Sequence, residues 1–280
     1  MNVRIAQLHL YPVKGCRGVS LTRAALAPTG LVVDPQGAAI GDREWVVADA
    51  DGAFLSQRTH PKMALIETRL TSTHLRLKAP GMLLLEVPYA SEGDVVEVRV
   101  WNDTVPAVTQ GEVADAWLTQ FLGTPARLLR FDPEHTRLAD PAATGAVVSP
   151  FKFADAFALL VTNTASLVDL NRRLEGRGGP VGMERFRPNI VLEGLPAYEE
   201  DHVQALRVNG ATLRLVKRCA RCTVPGVDPA TGTYSDLVPD ALAVYRRFDD
   251  GVMFGMNAIV AQGEGCELRV GDAVEVELAL

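Results

Sequence analysis

Cysteine is scarce in this chain: four in 280 residues, of which only Cys219 and Cys222 stand close together. So few thiols exclude the disulfide-dense scaffold on which small secreted domains depend. Long apolar runs are missing too. None approaches the length of a membrane span, and no charged-then-apolar leader precedes Val3. The expectation is a soluble, cytoplasmic protein with no membrane partner. Positive charge is in deficit, with 28 Lys and Arg against 34 Asp and Glu, a net charge of −6 and a pI near 5.4. That balance argues against nucleic acid or an anionic lipid surface as a partner. Neither a Gly-x-Ser-x-Gly motif nor a Ser–His spacing supports hydrolysis through an activated serine. Repeats and low-complexity tracts are absent as well.

What is present is a large apolar reserve. At 48% hydrophobic residues the chain has ample core for one large or two medium domains. Much of it reads as short strands. Residues 3–13 alternate as far as Pro12, and 21–33 break at Pro28-Thr29-Gly30. Residues 44–55 break at Ala48-Asp49-Ala50-Asp51-Gly52, a hairpin signal because Asp-Gly suits the positive φ of a tight turn. Strands are expected again over 64–70, 75–77, 82–87 and 95–100, a spacing that predicts an antiparallel sheet or barrel. A helix is expected over 112–121, with Val113, Ala116, Trp117 and Phe121 on one face and Gly123 as its stop. A strand over 126–131 follows. The division into an N-terminal β domain, 1–120, and a larger domain, 121–280, is placed there. Beyond it, 153–161 reads as a strand feeding a helix with Thr164 as N-cap. Residues 203–208 and 211–216 read as strands joined at Asn209-Gly210. The fold class is mainly β with a few helices (α+β).

The second of those paired strands runs into Lys217-Arg218-Cys219-Ala220-Arg221-Cys222, where two thiols lie among three cations. Positive charge beside a thiol favours the thiolate, the form that binds metals and does redox work. Four readings of the pair stay open on the residues alone. A structural zinc site needs about four ligands, and Cys16, Cys266 and five scattered histidines supply no second pair. A thioredoxin-like motif wants a helix after the first cysteine, whereas Pro225, Gly226 and Pro229 oppose one. The thiols can also be ordinary loop residues. In the fourth reading, one thiolate ligates a metal whose other ligands come from a cofactor.

Cys219-x-x-Cys222-Thr-Val-x-x-Val-Asp-Pro-x-Thr-Gly232 resembles the signature of MOSC-domain proteins. The likeness is to the branch containing the mitochondrial amidoxime-reducing component and its bacterial relatives. Tyr11-Pro-Val-Lys14, the Asp42-Arg43-Glu44-Trp45 segment and Phe186-Arg-Pro-Asn-Ile-Val191 resemble further motifs of the same branch, in order, so the match spans nearly the whole chain. The resemblance implies a β-rich MOSC fold behind an N-terminal β domain, with a molybdenum–pterin cofactor (Mo-molybdopterin) between them. Carried over residue by residue, it makes Cys222 the molybdenum ligand and leaves Cys219 unligated. Lys14, Arg43 and Arg187 inherit contacts with the cofactor. For Arg43 the physical reason is the fit of a planar guanidinium to phosphate oxygens. These three cations are far apart in sequence, and a shared anion is the reason to expect them together without acidic partners. Gly15 replaces a usual serine, so only its backbone can contact the cofactor. Ala156, Phe157, Ala220 and Asn257 complete the implied cofactor contacts. Asp228 is either a proton relay or a plain turn-former before Pro229.

The implied reaction is a two-electron reduction that removes oxygen from an N-hydroxylated small molecule, such as an amidoxime, hydroxylamine or N-hydroxylated base. No further cysteine cluster is available for an iron–sulfur centre. The electron donor is therefore expected to be a separate protein of ferredoxin, flavoprotein or cytochrome type. The alternative is a non-catalytic carrier of molybdenum cofactor or sulfur.

Overall fold

The computed structural model of the protein describes residues 2–34, 37–90 and 92–279. Strands dominate, as expected. The largest sheet has nine, in the order Val19–Leu21, Arg4–Leu10, Ile190–Glu193, Leu159–Asn163, Gly251–Gln262, Ala211–Ala220, Val203–Val208, Glu275–Leu278, with Arg247–Phe248 paired to Gly251–Gln262. The strands Leu159–Asn163 and Ile190–Glu193 pair in parallel. Parallel neighbours need a crossover, which the helix Thr164–Arg173 provides. One face of this sheet buries an aliphatic core that includes Ile5, Leu8, Val161, Leu192, Leu213 and Ile259.

A second group of sheets carries the residues between. Val95–Val100, Asp103–Thr109, Arg127–Phe131 and Trp45–Ala48 form a four-stranded antiparallel sheet, and Glu67–Leu70, His74–Lys78 and Leu85–Pro88 a three-stranded one. The helix Glu112–Leu122 packs beside them and ends where Gly123, at φ 75°, donates its N–H to Thr119 O. Its buried face differs from the expected one. Ala114, Trp117 and Leu118 are inside while Val113 is exposed. The turn of the helix is set by Asp115, whose carboxylate accepts from Leu128 N at 2.9 Å and so must face the strand Arg127–Phe131.

The first strand joins a sequence neighbour to a distant strand. Arg4–Leu10 pairs with Ile190–Glu193, from the far end of the chain, and with Val19–Leu21. It then leaves the nine-stranded sheet at Tyr11, and Val13 bridges to Trp45 of the four-stranded sheet. Residues 11–16 therefore form a seam between the two groups of sheets.

Three local expectations are corrected. Residues 61–65 form a 3-10 turn and the strand starts only at Glu67, because Pro61 sets the first turn with its fixed φ. The apolar run from Phe153 is strand only over Leu159–Asn163; before that it turns, and Asp155 pairs with Lys14. The next helix is capped by Asn163, whose side chain accepts from Ala165 N at 3.2 Å, and Thr164 is its first residue. A helix at Leu237–Tyr245 was not expected at all.

Candidate functional site

A cavity of about 320 Å³ opens at the seam. Its walls combine residues that the sequence keeps far apart: Lys14 and Gly15, Arg43, Ala156 and Phe157, Arg187, Ala220 and Cys222, and Asn257. Every expected site residue except Asp228 lines it.

Backbone hydrogen bonds knit the first segments. Arg43 N donates to Tyr11 O at 2.8 Å, Trp45 N to Pro12 O at 2.9 Å and Lys14 N to Trp45 O at 2.8 Å. Tyr11 N is satisfied by the Asp42 carboxylate at 2.8 Å. A third segment joins when Phe153 N donates to Arg43 O at 3.0 Å. Arg43 is thus held on both sides of its backbone, at a left-handed φ of 49°. Arg187 has the same backbone region, φ 57°, at the end of the 3-10 turn Met183–Phe186. Non-glycine residues pay conformational energy there, and such strain clusters at functional sites.

The two guanidinium groups converge. Arg43 and Arg187 lie over the same Tyr11 ring, with 4.4 and 4.3 Å from carbon to centroid. Arg43 Nη2 donates to Arg187 O at 3.1 Å, and its Nη1 reaches the Asp42 carboxylate and, at 3.4 Å, Asn189 Oδ1. Arg187 Nη1 donates to Cys16 O at 2.6 Å, while its Nη2 is buried with no hydrogen-bond partner among the described residues. Burial, and then the charge of Arg43, pull the Arg187 pKa down to about 10. Burial also pushes the Tyr11 hydroxyl up to about 12, so the ring beneath these cations stays neutral.

Lys14 is buried, and Nζ donates to Phe153 O at 2.7 Å and to Asp155 Oδ1 at 2.5 Å. Burial lowers the Lys14 pKa against the opposing pull of Asp155. Partial desolvation of its inner oxygen opposes ionisation of Asp155, but Lys14 and the Trp101 indole N–H outweigh it and hold the carboxyl below its usual range. Most of the Asp155 side chain is open to solvent, so water screens this pair. The three cations do come together, but two of them have acidic partners, which corrects the expectation of none. For Lys14 and Arg43 the neighbouring carboxylate offsets the cost of desolvation.

The cysteines arrive on the strand Ala211–Ala220, which runs past residue 216 and brings Lys217, Arg218, Cys219 and Ala220 to the cavity. Arg221 N still donates to Val252 O of the paired strand at 2.7 Å, and the strand ends as the chain turns into Val224–Gly226, where Pro225 lacks a backbone donor. The thiols are not equivalent. Arg221 Nη1 donates to Cys219 Sγ at 3.0 Å, and Nη2 to Phe186 O at 2.9 Å, beside Arg187. Cys222 is exposed and its sulfur has no partner among the described residues. Both cysteines are free thiols, and no cluster of three or more His, Cys, Asp or Glu among the described residues has a geometry to hold a metal. A structural zinc therefore lacks its ligand set there, and the segment after Cys222 is no helix of the thioredoxin kind. Asn257 faces the same strand, with Nδ2 donating to Arg218 O at 3.4 Å.

Asp228 lies elsewhere. It is ion-paired with Arg185 at 3.1 Å, and its carboxylate accepts from Ala230 N at 2.8 Å, as a turn-forming Asp does. Several cavity residues have no role in the sequence reading, Asn189 and Trp101 among them. Asn189 is buried, accepts from Leu160 N at 3.0 Å and donates to His9 O at 3.3 Å, so it locks three strands around the cations. Its position inside Phe186-Arg-Pro-Asn-Ile was the available signal. Trp101, at the hairpin tip Val100–Asp103, carries no such signal in sequence.

Residues 2–125 match the family model described as "MOSC N-terminal beta barrel domain", and residues 149–275 the one described as "MOSC domain". The chain is 32% identical to "Mitochondrial amidoxime reducing component 2" of Rattus norvegicus, over 96% of this chain and 82% of that protein. It is 34% identical to the protein of the same name from Homo sapiens, with the same coverage. It is also 29% identical to "Molybdenum cofactor sulfurase" of Danio rerio, over 82% of this chain but 29% of that protein.

Proposed function

The chain belongs to the MOSC family, in the two-part form shared with the amidoxime-reducing components, and on that premise we propose that it is a molybdenum-dependent reductase of N-hydroxylated compounds. Association with molybdenum cofactor follows from the family; the reaction and the residue roles are our reading. The observation that carries it is the pairing, in one cavity, of a free exposed thiol at Cys222 with a buried, unpartnered nitrogen at Arg187 Nη2. A buried donor without an acceptor is costly, and an anionic cofactor oxygen would satisfy it. The residues fit a phosphorylated, thiol-ligated group.

In this reading Arg43 and Arg187 hold the cofactor phosphate through charge-assisted hydrogen bonds, and Lys14, still paired with the solvent-screened Asp155, adds a third charge. Gly15, Ala156, Phe157, Ala220 and Asn257 shape the rest of the seat. Cys222 is the protein's metal ligand, and Arg221 keeps Cys219 turned to its own hydrogen bond. The bound group would supply two-electron chemistry at a thiolate-ligated metal, which suits removal of oxygen from nitrogen. A separate protein of ferredoxin, flavoprotein or cytochrome type returns the electrons. Asp228 serves as a proton relay through solvent, with Arg185 holding it as the carboxylate, and Asp228→Asn should slow turnover without loss of metal. Among the described residues no helix is long and apolar enough to cross a membrane.

The test is anaerobic reduction of molybdenum-loaded protein followed by mixing with a panel of N-hydroxylated compounds. Reoxidation of the metal centre with appearance of the deoxygenated product is the expected result. Full molybdenum loading with no reoxidation by any of them would replace the enzyme with a carrier of the cofactor.

A further inference from the structure

The N-terminal wall of the cavity contains an aromatic group that the reading above does not use. Trp101 sits at the tip of the hairpin between Val95–Val100 and Asp103–Thr109, and its side chain lines the cavity with Phe54 and Arg58. Its φ is 57°, in the left-handed region where Asn, Asp or Gly are the usual occupants and a bulky residue is an outlier. The indole is nevertheless fixed from three directions. Nε1 donates to Asp155 Oδ1 at 2.9 Å, Phe54 packs edge-on at 4.7 Å between centroids, and the Arg58 guanidinium lies over the ring at 4.0 Å.

This anchoring leaves the ring accessible. Trp101 is 42% exposed, whereas Trp45 and Trp117 are buried. Arg58 is exposed and has no carboxylate partner among the described residues, so the face it covers is held by a side chain that can move aside or close from above. An indole and an exposed guanidinium without a carboxylate partner form a slot, closed here at 4.0 Å, that admits a flat, π-rich group when Arg58 swings off the ring. The Asp155 carboxylate that orients the indole also holds Lys14, so the slot is aligned with the cation placed at the cofactor phosphate.

We propose that Trp101, with Arg58 above it, is the specificity-determining platform on which a planar aromatic or heteroaromatic N-hydroxylated substrate stacks. The proposal rests on the reductase reading for the word substrate, but the slot itself does not depend on turnover. Ring-free N-hydroxylated compounds should reach the same cavity without using it.

Two neutral probes separate the cases: benzamidoxime, which is planar and aromatic, and acetamidoxime, which has no ring. In molybdenum-loaded protein Trp101→Ala should raise KM for benzamidoxime about tenfold with little change in kcat, the loss typical of one stacking contact. KM for acetamidoxime should stay within about twofold, and Trp101→Phe should restore most of the benzamidoxime affinity. Independently of activity, benzamidoxime should quench the indole emission of wild-type protein saturably, and this quench should vanish in Trp101→Phe. Equal KM changes for both probes, or no saturable quenching, would overturn the platform. Loss of bound pterin in Trp101→Phe would also overturn it, by giving the ring to the cofactor. If the protein reduces neither probe yet still shows the saturable quench, the platform stands and the reductase reading falls.

Discussion

Arg43 Nη2 donates to the backbone oxygen of Arg187 at 3.1 Å, and both guanidinium groups share the ring of Tyr11. Two residues 144 positions apart are thus locked into one unit, each with a left-handed backbone. The unit concentrates positive charge in a chain whose net charge is −6. Asp42 offsets part of it, but Arg187 retains a nitrogen with nothing to bond.

If that nitrogen awaits a cofactor oxygen, Arg187→Ala should lower retained pterin by ten- to a hundredfold, as loss of about 1.5–3 kcal/mol of charged hydrogen bonding implies. Arg187→Lys should not rescue it, since an ammonium cannot fork between Cys16 O and an anion. Pterin content per folded protein is the measurement, with a cooperative thermal melt as control. Full content in both variants would sink the shared-anion idea.

The two cysteines should separate cleanly. Cys222→Ser is expected to lose activity and most bound molybdenum, measured by elemental analysis. Cys219→Ser should keep both, because a serine oxygen can still accept from Arg221. Equal losses would return the pair to a jointly used metal or redox site.

Gly15 is held at φ +84°, and a Cβ there would meet Met63 Cε at 2.7 Å. Restoring the serine of the resembling motif should therefore destabilise the protein, by about 1–2 kcal/mol from the backbone alone. Gly15→Ala and Gly15→Ser should fall by similar amounts in chemical denaturation. A serine variant as stable as the parent would show that the turn can relax.

Cys16 gives a pH signature. Burial raises its thiol from 9.0 to about 12, so the unfolded chain loses this proton first as the pH rises. Its contribution to stability is complete below pH 9 and is lost progressively toward pH 12. Denaturation midpoints across that alkaline range should drop less steeply in Cys16→Ala, with a difference approaching about 1.4 kcal/mol per pH unit. Parallel slopes in the two proteins would mean that the thiol titrates freely in the fold.

Sequence alone determined many of the strands and pointed to most of the residues that share the cavity wall. Alternation and turn residues mark the hairpins at Thr29 and Asp51, the helix stop at Gly123, and the strand from Ala211 as far as Val216, because these depend on neighbours within a few residues; its extension through Cys219 is set by pairing with Gly251–Gln262. The motifs around Lys14, Arg43, Arg187 and Cys222 were likewise legible. Tertiary structure decided what those residues touch. That Arg4–Leu10 pairs with Ile190–Glu193, making residues 11–16 a seam, depends on contacts between distant parts of the chain that no local pattern records. The same holds for the Asp155 partner of Lys14, the Arg221 hold on Cys219, and Trp101 in the cavity wall. Each is fixed by which polar groups meet once the sheets close, and that is settled in space.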